Sequence, residues 1–363
     1  MLSINSMKKS LLFTILGFTM AFTLSSCHDS PEYHDDFTGN FDALADIIDS
    51  HYCFFNDKNI DWNATVAEYR SLITPETTFL DLFFICAGLL DELQDGHVNL
   101  TSRFATSYYR QWWSDYPQDF NLRTLEEYYL KFNWLSTSGI MYRQLPGEIA
   151  YLYYPSFSTV VSELALDYIL AILYNSRGLI IDIRDNGGGM LTNIDTFVGR
   201  FIDKPYTGGY IMHKTGPGHN DFSEPYPMVY EPADSTIHIK WPGEVVVLTN
   251  RSCFSAANNF VSVMKGLPNV KIVGAKTGGG GGMPFSSELP NGWAVRFSAC
   301  PILNSDFEVI ENGIDPSPGC EVHAPEEELA RGKDAILDFA IDLLKDNPLP
   351  FPEDEEGEGE QPD

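Results

Sequence analysis

A chain of 363 residues that is 44% hydrophobic, 13% aromatic and 20% charged can bury a sizeable core, as one large domain with an accessory part or as two modest domains. It is too rich in aromatics to stay disordered. Its 51 acidic against 23 basic side chains give a net charge of -28, a field that repels phosphate backbones, so nucleic acid is disfavoured as a partner.

At the N-terminus, Lys8 and Lys9 precede an apolar run from Leu11 to Leu24, short for a spanning helix and suited to the central region of a secretory signal. The next residues, Leu24-Ser25-Ser26-Cys27, resemble a bacterial lipobox. That resemblance implies cleavage before Cys27 and lipid attachment to it, with Met7 as an alternative start; an uncleaved short anchor is the competing reading. The expectation is a lipoprotein signal peptide over 1–26 and a polar tether over 27–40. The folded part would then be membrane-anchored through lipid and extracytoplasmic, either periplasmic or at the cell surface. Removing the first 26 residues takes away two lysines and no acid, so the charge becomes 21 minus 51, or -30.

Cys53, Cys86, Cys253, Cys300 and Cys320 form an odd set at long spacings, so at least one thiol stays free. No CxxC pair and no HExxH spacing occurs, and His213 and His219, which share a loop, read as solvated. The sequence therefore gives no reason to expect a metal or cofactor.

From Phe41 the pattern becomes helical. Phe41, Leu44, Ala45, Ile48 and Tyr52 recur at helical spacing, as do Val66, Tyr69 and Leu72, and Leu80 to Leu93 is apolar nearly all round. Together they predict a small N-terminal helical domain over 41–100. A connecting segment over 101–147 follows, rich in Tyr and Trp: Tyr108, Tyr109, Trp112, Trp113, Tyr128, Tyr129 and Trp134. An aromatic platform for a ligand is conceivable, but aromatics at helical intervals usually pack inward, and core is the preferred reading.

Residues 148–346 read as alternating strand and helix. IAYLYY, GLIIDIR, EVVVLT and VKIVG are strands; Val160 to Tyr174, Leu191 to Phe201 and Ser255 to Met264 are helices, a pattern that builds a parallel sheet and an α/β fold. Residues 203–242 interrupt it with Pro and Gly turns around TIHIKW, suggesting an inserted hairpin or flap. GWAVRFSA suggests a further strand, and Leu329 to Lys345 a closing helix. The tail over 347–363 is acidic and disordered by composition.

Three turns after strands carry residues that would be costly in packing alone. Ile183-Arg184-Asp185-Asn186-Gly187-Gly188-Gly189 offers bare backbone N–H groups fit for an oxyanion or a phosphate, or simply a tight turn with a cap. In Thr249-Asn250-Arg251-Ser252-Cys253-Phe254-Ser255-Ala256-Ala257-Asn258, Ser255 falls at a helix start, where it is either an activated nucleophile or an ordinary N-cap. Gly274-Ala275-Lys276-Thr277 leads into Gly278 to Gly282, which is a flexible flap or a place where another backbone comes close. Far upstream, Asp95-Gly96-His97 puts an imidazole before a possible strand, a general base or a structural histidine.

In this order and at these separations, DGH, IDIRDNGGG, SCFSAAN, GAKTGGGGG and ENGIDP resemble the serine peptidase family of the C-terminal processing proteases and the tricorn core protease, over nearly all of residues 41–345. The resemblance implies a serine peptidase catalytic core over 148–346 with the crotonase/Clp-like β-β-α superhelical fold, acting on peptide or unfolded protein. Carried over by position, Ser255 is the nucleophile, and the N–H groups of Ala256 and Gly188 form the oxyanion hole. The lysine base of the processing proteases would fall at Gly280, with Lys276 four residues earlier, so the tricorn-like branch fits better, with His97 as base and Glu311 as its partner. That branch has a serine before its histidine where this chain has Gly96. The 45 residues from Thr101 to Leu145 leave no room for a PDZ domain. The alternative function is a non-catalytic ligand-binding lipoprotein that keeps the peptidase fold.

Overall fold

A computed structural model describes residues 33–350. The expected signal peptide, Cys27, the start of the expected tether and the acidic residues from 351 on lie outside the described residues.

The larger part of the chain is organised by a six-stranded sheet made of β2 (Leu135–Thr137), β3 (Ile140–Leu145), β4 (Ile149–Tyr153), β5 (Leu179–Asp182), β8 (Val245–Thr249) and β9 (Val270–Gly274), in that spatial order. The last four run parallel. Every residue of β4, β5 and β8 is buried, which is why their sequences are unbroken apolar runs rather than alternating ones: both faces of the sheet are covered. One face packs under α4 (Glu163–Leu173), α5 (Thr192–Val198) and α6 (Ala256–Lys265). The other face packs under α7 (Glu326–Ala330) and α8 (Ala335–Leu344). Because β5, β8 and β9 are parallel, the three singular turns that follow them emerge at one edge, the carboxyl ends of the strands, where open α/β sheets bind ligands.

A second sheet collects β1 (Asn99–Thr101), β6 (Tyr206–Ile211), β7 (Tyr226–Tyr230), β10 (Gly282–Glu288) and β11 (Ala294–Leu303). The expected hairpin in 203–242 is β6 and β7, and it is stitched to β11 through Ile302 and Leu303 rather than hanging free. TIHIKW is not a strand.

The N-terminal helices are α1 (Phe37–His51), α2 (Trp62–Arg70) and α3 (Phe79–Asp91). Each starts at a residue whose oxygen accepts a backbone N–H of the first turn: Asp36, Asp61 and Thr78, the last in a reciprocal box with Asp81. Their apolar faces meet the second sheet. Phe41, Leu44, Ile48, Leu82 and Leu90 share one core with Trp293, Val295 and Phe297, and Cys53 N–H donates to the Ser298 carbonyl at 3.0 Å. Residues from the two ends of the chain thus form a single cluster.

Two expectations are corrected. The closing helix is broken: Gly332 takes φ +86°, and Asp334 restarts the chain as the N-cap of α8 because its carboxylate is also needed by a buried arginine. The seven aromatics named in 101–147 are not buried core, although Tyr129 and Trp134 pack at the edge of one core cluster. None of the seven is buried, and Tyr108 is 53% exposed. Around the first four, only a four-residue helical turn forms, Gln111–Ser114, and it leaves Tyr108 and Tyr109 outside it; Tyr128 and Tyr129 sit in a separate short helical stretch over 122–129. Instead Tyr108, Tyr109, Trp112 and Trp113 line a cleft.

The glycine run is the closely approached backbone, not a flap. A Cβ on Gly279, at φ +85°, would overlap the Glu311 carbonyl oxygen, and Gly280 N–H donates to that same oxygen at 3.2 Å.

Candidate active site

β8 delivers the chain into a turn that ends at Ser255, immediately before α6. Ser255 has φ 58° and ψ -122°, a conformation rare for a side-chain-bearing residue, and its hydroxyl makes no capping bond to the helix. The N-cap reading of this serine therefore fails. Three contacts hold the strained turn: Phe254 N–H to the Asn186 carbonyl at 3.1 Å, Ser255 N–H to the Gly279 carbonyl at 2.9 Å, and Cys253 Sγ to the Ile183 carbonyl at 3.0 Å. The serine is suspended between the other two turns, and buried Cys253 is one of its anchors.

His97 comes from the end of the N-terminal helical part. Its Nε2 lies 2.9 Å from Ser255 Oγ, and its ring tilts against Phe254 with centroids 4.7 Å apart. Its backbone N–H donates to Asp95 Oδ1 at 2.8 Å, and Asp95 Oδ2 accepts from Ser298 Oγ at 2.8 Å. Burial first of all pushes the imidazole down to about 4, helped by Arg296 and Lys58 and opposed by Asp95. The ring is therefore neutral at neutral pH and able to accept a proton.

Glu311 does not reach His97. Its Oε1 accepts from Lys58 Nζ at 2.9 Å and its Oε2 from Gly281 N–H at 2.8 Å, while His97 Nδ1 is buried with no hydrogen-bond partner. Lys58 is the link: besides Glu311 it donates to the Leu93 and Gln94 carbonyls, each at 3.1 Å, on the turn leading to His97. Burial disfavours both carboxylates. Lys58, His97 and the bonds from His97 N–H and Ser298 outweigh it at Asp95, whose pKa falls below the usual range. At Glu311 burial, followed by the charge of Asp95, prevails and its pKa rises. One ammonium thus serves two buried carboxylates.

The position before the histidine has no space for a hydroxyl. A Cβ on Gly96 would sit 2.6 Å from Trp112 Nε1 and 2.9 Å from the Phe254 ring. Lys276 pairs with Asp315 at 3.3 Å, so it is not beside Ser255. His213 and His219 take separate partners, Cys300 and Asp49.

At the expected oxyanion site, Ala256 N–H opens α6 and has no acceptor within the helix. Gly188 abuts the serine, since a Cβ there would lie 2.9 Å from Ser255 Cβ, but its N–H donates to Asn186 Oδ1 at 2.9 Å. The structure therefore presents one unengaged amide beside Ser255 and a second whose bond must be exchanged. A cleft of about 610 Å³ opens over Ser255, His97 and Gly188. Lys58, Ser298 and the cleft arginines carry no sequence motif; Asp95 lies inside DGH, but nothing in that tripeptide announces that it holds the histidine backbone.

The pattern of peptidase family S41 matches residues 148–317, and that of the tricorn protease C1 domain matches residues 33–83. A crystal structure of a candidate peptidase from Parabacteroides merdae is 43% identical, with a TM-score of 0.81 over 86% of this chain and 97% of that one. The tricorn protease of Thermoplasma acidophilum is 28% identical over 54% of this chain and 17% of its own length. The carboxy-terminal processing protease CtpA of Bacillus subtilis is 27% identical over 46% of this chain and 34% of its own. The chain thus spans about a third or less of these curated relatives. Mature CPAF, 12% identical with a TM-score of 0.64, shares the fold.

Proposed function

From a chain that belongs to peptidase family S41, and is therefore a serine hydrolase, we propose a lipid-anchored, extracytoplasmic peptidase in which Ser255 is the nucleophile and His97 the general base. His97 Nε2 takes the hydroxyl proton as Oγ bonds to the peptide carbonyl carbon, and the carbonyl oxygen becomes an oxyanion. Ala256 N–H donates to that oxyanion, and Gly188 N–H joins it by giving up Asn186 Oδ1. The imidazolium then protonates the leaving amine as the C–N bond breaks. Water, deprotonated by His97, hydrolyses the acyl-enzyme and restores Ser255.

The observation that carries this reading is the 2.9 Å contact between His97 Nε2 and Ser255 Oγ, made by a serine held off its helix cap. A fluorophosphonate should modify Ser255 in the purified protein, and Ser255→Ala should abolish labelling and lower peptide hydrolysis about a thousandfold or more. Labelling elsewhere, or none, would overturn it. The anchor has its own test: protein extracted from membranes should begin at an acylated Cys27 by intact mass, and Cys27→Ala should abolish the acylated species; an unmodified chain that keeps residues 1–26 in the wild type would overturn it.

A further inference from the structure

The chain carries more than two acids for every base, yet the cleft over Ser255 has no Asp or Glu in its lining and two arginines, Arg110 and Arg296. The Arg296 guanidinium makes no hydrogen bond or ion pair among the described residues, with buried Asp95 acting on it only through its charge, and the Arg110 guanidinium offers only its face to the Tyr108 ring, 5.8 Å away. Several exposed arginines elsewhere are paired with acids, as Arg70 with Asp42 and Arg123 with Glu127. In so acidic a surface an unpaired guanidinium beside the nucleophile is a vacancy for an anion.

Its position says which part of a ligand it meets. Along β11, Val295 and Phe297 face the shared core, while Arg296 and Ser298 lie on the opposite face. Ser298 holds Asp95, and Arg296 pairs across to Asn99, two residues beyond His97. Arg296 therefore stands on the wall of the base. The other wall is the glycine turn, where Gly189 packs on Phe157 and Ser158. The oxyanion donors lie beside that turn, whereas the base must return its proton to the leaving amine, so side chains next to His97 face the leaving half of the substrate.

We propose that Arg296 is a specificity-determining residue that binds a carboxylate on the leaving side of the scissile bond. Two sources supply that chemistry: an acidic side chain, or the substrate's own C-terminus. A guanidinium grips either through paired N–H donors. Arg110, across the cleft mouth, adds to the attraction without a fixed partner. This inference rests on the peptidase reading and deepens it.

The test uses the full-length protein and three fluorogenic peptides identical up to the scissile bond. One has Glu in the leaving half and an amidated end, one has Gln and a free C-terminus, and one has Gln and an amidated end. At about pH 8, where His97 is neutral with or without Arg296, and with active sites counted by fluorophosphonate, the wild type should cleave one of the first two at least about tenfold better in kcat/KM than the third. Arg296→Gln should erase that preference and leave the third substrate within about threefold; Arg296→Lys should restore part of it. The favoured peptide identifies the source of the carboxylate. Equal rates on all three, or an equal loss on all three in Arg296→Gln, would overturn the proposal. If the probe never labels Ser255, the peptidase reading fails separately. The affinities of the same peptides for Ser255→Ala, with and without Arg296→Gln, then decide the role of Arg296 without turnover.

Discussion

At Ser255 and His97 the backbone and the side chains do different parts of the work: a strained φ of 58° aims the hydroxyl, and burial keeps the imidazole uncharged. Since the proposed base must be neutral, the acid limb of kcat/KM should fall near pH 4 rather than near the ordinary histidine value of about 6.5. An acid limb near 6.5 in a pH profile would contradict the buried setting. The same shift enters stability. Unfolded chain binds the proton below about 6.5 while the folded form refuses it until about 4, so stability is full above the upper value and is lost as pH falls between the two, by up to roughly 3 kcal/mol. Urea midpoints measured across that window should drop more for wild type than for His97→Gln. Lys58 acts at one remove, by tying Glu311 to the carbonyls before His97. Lys58→Met should lower kcat more than it raises KM, and it should move the acid limb upward because a cation near the imidazole is gone. An unchanged limb would deny it that role. Ser255, Ala256 and His97 are legible in the sequence because their motifs fix backbone type and order. The partner of His97 is not: a carboxylate at residue 311 says nothing of which cation it meets after 253 residues of chain.

Among the elements, the turn after β5 shows how a buried charge fixes geometry. Arg184 is fully buried, with Nη2 2.6 Å from Asp182 Oδ2 and 2.8 Å from Asp334 Oδ2, and its guanidinium lies over the Phe120 ring. It joins β5 to the cap of α8, behind the glycine turn. Arg184→Met would strand two carboxylates away from water, and a loss of about 3–5 kcal/mol in denaturant midpoint analysis is expected. A loss under about 1 kcal/mol would mean the acids find water or protons instead. The strands β4, β5, β8 and β9 were readable as apolar runs between turns, since a sheet covered on both faces permits little else. The break at Gly332 was not, because helical periodicity continues across it and the reason for stopping is the remote demand of Arg184 on Asp334. The aromatics at 108–113 misled for the opposite reason: their spacing is helical, but what they border is a cavity rather than a core.

Across the whole molecule, helices α1 to α3 and strand β11 bury each other. A fragment lacking residues 33–95 would expose Trp293, Val295 and Phe297, and it should be insoluble or lack a cooperative thermal transition by circular dichroism. A soluble fragment melting sharply would show that the core half stands alone. Composition foretells helices followed by an α/β core, but not that they share one interior, since hydrophobic pattern names a buried face without naming what covers it.

His97 and Ser255 stand 158 residues apart in sequence, and β11, which pairs with the strand just after His97, is completed only at Leu303. A ribosome must therefore release nearly the whole polypeptide before hydroxyl and imidazole can meet. Any stretch still extended, whether nascent or in transit, holds the imidazole and the hydroxyl apart.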